Sequence, residues 1–259
     1  FANLGTLVVT EDRSTDRVCE LIDDYQVEVL PSSPSFLNLL LVSGAYKRYK
    51  LESLKTISYG TEPMPQYLLE KLGKIFPNVR LLQTYGLIEL GVMKSKSENN
   101  SSLWLKIIDK NYKTRIRDGT LQIKTNSAML GYLNAPSPFT YDGWFDTKDK
   151  VIKKNGFIKI LGRKSEIINV GGEKVYPQEV ENEILKMPNI ADVTVFSEKN
   201  LILGEIVCAK LKLIKNNEKS TVFKELKNFL RKKLETFKIP VKIEIEHKDQ
   251  FGSRFKKQR

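Results

Sequence analysis

GRKSEIINVGGEKVYP, residues Gly162–Pro177, packs an arginine, two lysines, two glutamates, a short apolar strand and a Gly-Gly pair into the approach to an amphipathic helix. Three uses compete for such residues: a phosphate cradle, a hairpin turn and a hinge between domains. A P-loop needs GxxxxGK[ST] after a strand, and GGEK does not supply that spacing. The choice among the remaining uses depends on the rest of the chain.

Downstream, Pro177 is predicted to open a helix whose Val180, Ile184 and Met187 share one face, and Val222 to Phe237 repeats apolar residues at helical spacing through Leu226, Phe229, Leu230 and Leu234. Strands predicted at IADVTVF, EIVCAKLKL and VKIEIE form the sheet these helices cover, giving a small α+β unit. Upstream, LGTLVVT (strand), RVCELIDDY (helix), VEVLPSSP (strand and turn), FLNLLLVSGAY (helix), LKTISYG (strand), PQYLLEKLGKIF (helix) and VRLLQTYG (strand) alternate. This order predicts a parallel α/β sheet whose strand ends at Gly60 and Gly86 face a common crevice, where such sheets bind ligands. From Leu103 to Ile160 the short strands WLKIID, TLQIKT and FIKILG predict a β subdomain, while KSKSENNSS (Lys94–Ser102) reads as a mobile loop. A boundary near Gly162 then separates residues 1–161 from residues 162–259.

The chain has 259 residues, and a chain of that size buries roughly three quarters of its unfolded surface. Its longest apolar run, Phe36 to Val42 interrupted by Asn38, is far short of the ~20 residues of a membrane helix. No transmembrane helix is predicted. The N-terminal stretch lacks a basic leader and a small-residue cleavage site, so the expected compartment is the cytoplasm. Cys19 and Cys208 stand far apart and His247 is the single histidine, which leaves no zinc spacing and predicts two core thiols. The net charge of +12 is concentrated at the C-terminal end, where Lys219–Arg259 carries 13 Lys or Arg against 5 Asp or Glu. Such a surface attracts anionic partners, although a solvated lysine-rich helix face has the same composition. No RNP-type, helix-turn-helix or interleaved aromatic-basic pattern accompanies the charge, which argues against nucleic-acid binding.

Four stretches stand in a particular order: SYGTEPM (Ser58–Met64), QTYGLIELG (Gln83–Gly91), YDGWFDTKD (Tyr141–Asp149) and the Gly162–Pro177 span. Taken singly, a Tyr-Gly at a strand end is a turn, and Asp149, Glu89 and Arg163 are ordinary surface charges. Together with GSRFKKQR at the C-terminus, their order and spacing resemble the C-terminal half of the adenylate-forming superfamily, which includes acyl-CoA synthetases, adenylation domains and luciferases. The resemblance runs along essentially the whole chain. It implies that residues 1–161 are the C-terminal portion of the large AMP-binding domain and that residues 162–259 are a small mobile domain. It also implies an ATP-dependent activation of a carboxylic acid as acyl-AMP, with transfer to the thiol of CoA or of a carrier protein's phosphopantetheine.

By that resemblance, the backbone at Gly60 and Thr61 and the ring of Tyr85, followed by Gly86, sandwich adenine. Glu89 is similar to the magnesium-binding glutamate, so Mg2+ joins ATP/AMP among the implied cofactors. Asp149 matches the ribose-binding aspartate, whose oxygens accept both hydroxyl protons, and Arg163 the arginine that also reaches ribose. Ser165 aligns with the hinge residue, and Gly171, Gly172, Glu173 and Lys174 with a loop that faces the large domain during thiol chemistry. Lys256 is taken as the catalytic lysine, with Lys257 the alternative. Tyr59, Gly60, Leu87 and Val92 are left to line an acyl pocket.

Two departures stand out. Ile88 occupies the place of a hydroxyl residue that meets phosphate and offers no hydrogen bond, and Phe255 stands before Lys256 where glycine is usual. The Ser/Thr/Gly-rich phosphate loop of the family has no counterpart here. The chain is thus expected to be a fragment, one half of a split enzyme that joins a separate N-terminal half, or a non-catalytic remnant that binds a nucleotide or a partner. An acidic carrier protein is the implied macromolecular partner, with neither nucleic acid nor membrane expected.

Overall fold

The computed structural model describes residues 4–246. Three hydrophobic cores, each under its own sheet, organise the chain.

The first is parallel α/β. It contains α1 (Thr15–Tyr25), β1 (Val29–Ser32), α2 (Pro34–Ser43), β2 (Thr56–Tyr59), α3 (Gln66–Ile75) and β3 (Arg80–Gln83), with the strands ordered β1-β2-β3. Ser14 and Ser33 cap α1 and α2, their hydroxyls accepting from the amides of Arg17 and Phe36, and Pro34 fits the first turn of α2 because its missing N–H has no helical partner to lose. Leu37, Leu40, Ile57, Leu69, Leu72 and Leu81 fill the core between helices and sheet. LGTLVVT is not a strand: it pairs with nothing among the described residues, and Leu4, Leu7 and Val9 are exposed.

The second sheet is antiparallel. After the small hairpin β4 (Tyr85–Leu87) and β5 (Gly91–Met93) come β6 (Ser95–Ser97), β7 (Leu105–Ile107), β8 (Lys113–Arg117), β9 (Thr120–Lys124), β10 (Phe145–Lys154) and β11 (Phe157–Arg163), arranged β6-β7-β11-β10-β9-β8. The segment expected to be a mobile loop is instead the joint between the two sheets. Ser97 Oγ accepts from Gln83 N at 3.1 Å, Ser95 Oγ donates to Gln83 O at 2.6 Å, and the Asn100 amide accepts from Leu81 N at 3.1 Å and donates to Val79 O at 2.9 Å. Short polar side chains here take the place of a neighbouring strand along β3.

The third unit holds β12 (Ile168–Val170), β13 (Glu173–Val175), α4 (Pro177–Ile184), β14 (Ile190–Asn200), β15 (Gly204–Leu213), α5 (Lys219–Leu230) and β16 (Lys242–Ile245). Its sheet runs β13-β12-β15-β14, with β16 parallel to β15. Gly171 and Gly172 are the two-residue turn of the β12–β13 hairpin, with φ of 59° and 96°. Two consecutive left-handed residues make the turn whose twist suits a hairpin, and glycine adopts them without a Cβ penalty. INVGGEKV is therefore a tight hairpin and not an open loop. Both helices are shorter than the periodicity predicts: α4 ends at Ile184, before Met187, and α5 at Leu230, before Phe237, although Met187, Leu234 and Phe237 still pack on the same core. Cys19 and Cys208 are buried, and burial pushes each thiol up to about 11. This unit rests on the first one through Asn38 Nδ2, which donates to Ala191 O at 2.8 Å, and Tyr67 N, which donates to Asn182 Oδ1 at 2.9 Å. No helix among the described residues is long and apolar enough to cross a membrane.

Candidate functional site

β2 and β3 run in parallel and end side by side at Tyr59 and Gln83. Thr84 ties the two ends together, its N and Oγ1 both donating to Tyr59 O, at 2.8 and 3.1 Å. A Cβ on Gly60 would stand 2.5 Å from Thr84 Oγ1 and 2.9 Å from Thr84 O. Glycine at position 60 is thus demanded by the crossing of the two strand exits. Thr61 follows with φ of 71°, a left-handed conformation that costs an L-residue about 1–2 kcal/mol. This turn lets residues 60–64 form one wall of a cavity of about 330 Å³. Strain held at a cavity wall is a pointer to function.

The other walls come from β4, β10 and β11. Asp149 and Arg163 are cross-strand partners on β10 and β11. Lys148, with φ of 61°, precedes Asp149, whose N donates to Thr147 Oγ1 at 3.1 Å. The Thr147 hydroxyl is anchored in turn on Leu121 O at 2.8 Å. Asp149 is only 6% exposed, so it is not the solvated carboxylate that its composition alone would suggest. Tyr85 Oη donates to its Oδ2 at 2.6 Å, and Arg163 Nε lies 3.5 Å from Oδ1.

Burial pushes the Asp149 carboxyl up, opposed by the Tyr85 hydroxyl and by the charge of Arg163. Burial, reinforced by the charge of Asp149, holds the Tyr85 phenol well above its ordinary range. Tyr85 therefore remains a donor and Asp149 its acceptor. A carboxylate has about four lone-pair sites, so Asp149 retains acceptor capacity beyond the Tyr85 bond.

Gly60, Thr61, Tyr85, Gly86, Asp149 and Arg163 are brought together around this one cavity. Glu89 is not among its lining residues. It follows the β4 strand, where Tyr132 Oη donates to its Oε1 at 2.6 Å and Met129 N to its backbone oxygen at 2.8 Å. Among the described residues no group of three or more His, Cys, Asp or Glu is placed to hold a metal ion. Glu89 offers one carboxylate, of which Tyr132 engages one oxygen. That fits a magnesium ion, which takes one or two protein carboxylates and completes its shell with phosphate and water.

Ser165 lies in a single 3₁₀ turn, Lys164–Glu166, immediately after the cavity-lining Arg163. Gly171, Gly172, Glu173 and Lys174 do not line the cavity; their hairpin turn is pinned elsewhere, Gly171 N donating to Leu203 O at 2.8 Å. Lys256 and its alternative Lys257 lie outside the described residues. Tyr59 does not serve a pocket, because strand alternation turns it into the first core, where it is 1% exposed; Gly60 and Leu87 do line the cavity.

Sequence reasoning missed Glu62, Gln83, Ile160, Glu166 and Gln178, all of which line the cavity. Gln83 and Gln178 carry the only signal, visible once folded: Gln83 Oε1 and Gln178 Nε2 are buried without a hydrogen-bond partner.

The family model for AMP-binding enzymes matches residues 1–133, and that for the AMP-binding enzyme C-terminal domain matches residues 179–249. A 4-coumarate-CoA ligase 1 of Narcissus pseudonarcissus is 30% identical over 246 residues, which is 86% of this chain and 45% of that protein. A long-chain-fatty-acid–CoA ligase of Escherichia coli is 26% identical over 265 residues, 95% of this chain and 46% of its own. Among solved structures, an anthranilate CoA ligase in complex with anthranoyl-AMP superposes with a TM-score of 0.81 at 17% identity, covering 97% of this chain and 52% of that one. The chain spans about half the length of the curated relatives it matches.

Proposed function

Because the chain belongs to the AMP-binding enzyme family, we propose that it is the C-terminal half of an adenylate-forming acid–thiol ligase. The reaction makes an acyl-AMP and pyrophosphate from ATP and a carboxylic acid, then passes the acyl group to a thiol, that of CoA or of a carrier protein, with release of AMP. The observation that supports this reading is the Tyr85–Asp149–Arg163 array, which faces the strained Gly60–Thr61 wall across one cavity. In this assignment Asp149 accepts the ribose hydroxyls, with Tyr85 fixing its orientation. The Tyr85 ring and the backbone at Gly60 and Thr61 flank the base, and Arg163 neutralises the buried charge. Magnesium, held by Glu89 and the phosphates, would offset phosphate charge. Lys256 supplies a cation where adenylation builds negative charge at the α-phosphate. The hinge is assigned to Ser165, between residues 1–161 and 162–259, and the Gly171–Lys174 turn to the face presented during thiol transfer.

Calorimetric titration of the chain with AMP tests the nucleotide assignment. Saturable binding that Asp149→Asn weakens roughly ten- to a hundred-fold is expected, and no binding by the unsubstituted chain would overturn the reading. The exposure of Ile88, 99%, at a place where a hydroxyl would meet phosphate favours a second reading, a non-catalytic nucleotide-binding remnant. Carboxylate-dependent pyrophosphate exchange by a complete enzyme containing this half decides between the two.

A further inference from the structure

Glu89 stands two residues beyond the cavity-lining Leu87 and is held from two sides by one short stretch of chain. Met129 N donates to the Glu89 backbone oxygen at 2.8 Å, and three residues later Tyr132 Oη donates to Glu89 Oε1 at 2.6 Å. Residues 125–138 contain neither helix nor strand, and Leu130 and Leu133 are fully exposed. What fixes the stretch beside Glu89 is the packing of Ala128 and Met129 on the core of the second sheet, together with Tyr112 Oη, which donates to Leu90 O at 2.8 Å and lies 3.4 Å from Ser127 Oγ. Among the described residues the Glu89 carboxylate forms no ion pair, and its hydrogen-bond partner is Tyr132.

A phenol suits this task. A lysine or arginine in its place would neutralise the charge that a cation needs, whereas a phenol donates one hydrogen bond and carries no charge. A glutamate side chain is among those that lose the most rotamer freedom when fixed, and Tyr132 imposes part of that loss before any cation arrives. We propose that Tyr132 is a positioning residue for Glu89: it ties down Oε1 and leaves the other carboxylate oxygen to the metal ion of a bound metal–nucleotide complex. The inference rests on the assignment of Glu89 to the metal given above and adds to it the group that orients the carboxylate. Carboxylates that bind metals are themselves hydrogen-bonded, and loss of such an outer partner weakens metal binding by about 10–100-fold. Tyr132 is 44% exposed, so water replaces part of its bond and the low end of that range applies.

The test titrates Mn2+, standing in for Mg2+, into the full chain with ATP and reads free Mn2+ by electron paramagnetic resonance. Tyr132→Phe, which keeps the ring and removes the donor, should weaken Mn2+ binding about ten-fold, and Glu89→Gln at least as much. Tyr132→Phe added to Glu89→Gln should weaken it no further, because the phenol acts only through the carboxylate. AMP titrated without metal should bind Tyr132→Phe as it binds the parent. Mn2+ affinity that falls in Glu89→Gln but not in Tyr132→Phe, additive losses in the double variant, or an equal loss of metal-free AMP binding would each overturn the inference and leave the Glu89 assignment standing. Mn2+ binding insensitive to Glu89→Gln, or none beyond that of ATP itself, would remove that assignment and the inference with it.

Discussion

Replacing Asp149 with asparagine separates what this residue does for the fold from what it does for a ligand. The side chain is 6% exposed and has two cationic or donor neighbours, Tyr85 Oη at 2.6 Å and Arg163 Nε at 3.5 Å. Asparagine keeps an oxygen for Tyr85 but puts an NH₂ in place of the second oxygen, so a donor meets the Arg163 guanidinium and one acceptor for a ribose hydroxyl is gone. Losing a charge-assisted hydrogen bond of this kind costs about 1.5–3 kcal/mol, or roughly ten- to a hundred-fold in AMP affinity.

Stability should move the other way. The folded state raises the Asp149 carboxyl above its ordinary value of 3.8, so its contribution to stability is fully present below that value and is lost as pH rises through the folded one. Asp149→Asn removes this loss. The variant's melting temperature relative to the parent's should therefore be higher at pH 8 than at pH 3, while its AMP affinity falls. Calorimetric titration with AMP and thermal unfolding across that pH range are the two assays. An unchanged AMP affinity would refute the ribose assignment, and a variant that melts lower at pH 8 than at pH 3, relative to the parent, would refute the claim that burial dominates.

Three further outcomes are expected, the first two from the geometry and the third from the proposed function. Gly60→Ala forces a Cβ against Thr84 backbone and hydroxyl, an overpacking that should cost about 1–3 kcal/mol in chemical denaturation; a neutral result would show that the strand exits can part freely. Asn100→Ala removes an acceptor from Leu81 N and a donor to Val79 O, and should destabilise by about 1–3 kcal/mol, read as a lower denaturation midpoint, unless residues 94–102 are the free loop that their composition suggests. Lys256→Ala in a complete enzyme should suppress acyl-AMP formation by orders of magnitude and spare thioester formation from supplied acyl-AMP, which Lys257→Ala should leave alone in both half-reactions; equal losses in the two single-turnover assays would contradict the alternating use of the hinge.

The alternation of strand and helix was legible because each element meets an ordinary local rule. Ser14 and Ser33 stand at helix starts, Pro34 fits a first turn, and residues 56–59 alternate between half-buried and buried positions. LGTLVVT obeys the same propensities and still forms no strand. Strand propensity measures fitness for a pleated, half-buried surface, and residues 4–10 have no paired neighbour among the described residues to provide one. KSKSENNSS fails in the opposite direction. Its serines and asparagines read as loop formers because their side chains compete for backbone hydrogen bonds, and that same capacity lets them bind the open positions of β3.

The site divides along the same line. Tyr85, Asp149 and Arg163 are singled out in the sequence by the family resemblance of the motifs that hold them, and that resemblance carries no information on burial. Asp149 by itself looks like any surface aspartate; its depth is set by Thr147, by the left-handed Lys148 and by the pairing of β10 with β11. Gln178 had no motif role at all. A glutamine beside Pro177 at a helix start is unremarkable in sequence, and only the packing of α4 against Gly162 buries its Nε2 and brings the residue to the cavity wall from a different unit. Local rules specify elements within about a turn or a strand, whereas the cavity wall here depends on pairs as far apart as 64 residues, as Tyr85 and Asp149 are. Residues that meet across such distances need not leave a trace in local pattern. They become visible as unsatisfied polar atoms and displaced ionisation, which are properties of the folded neighbourhood.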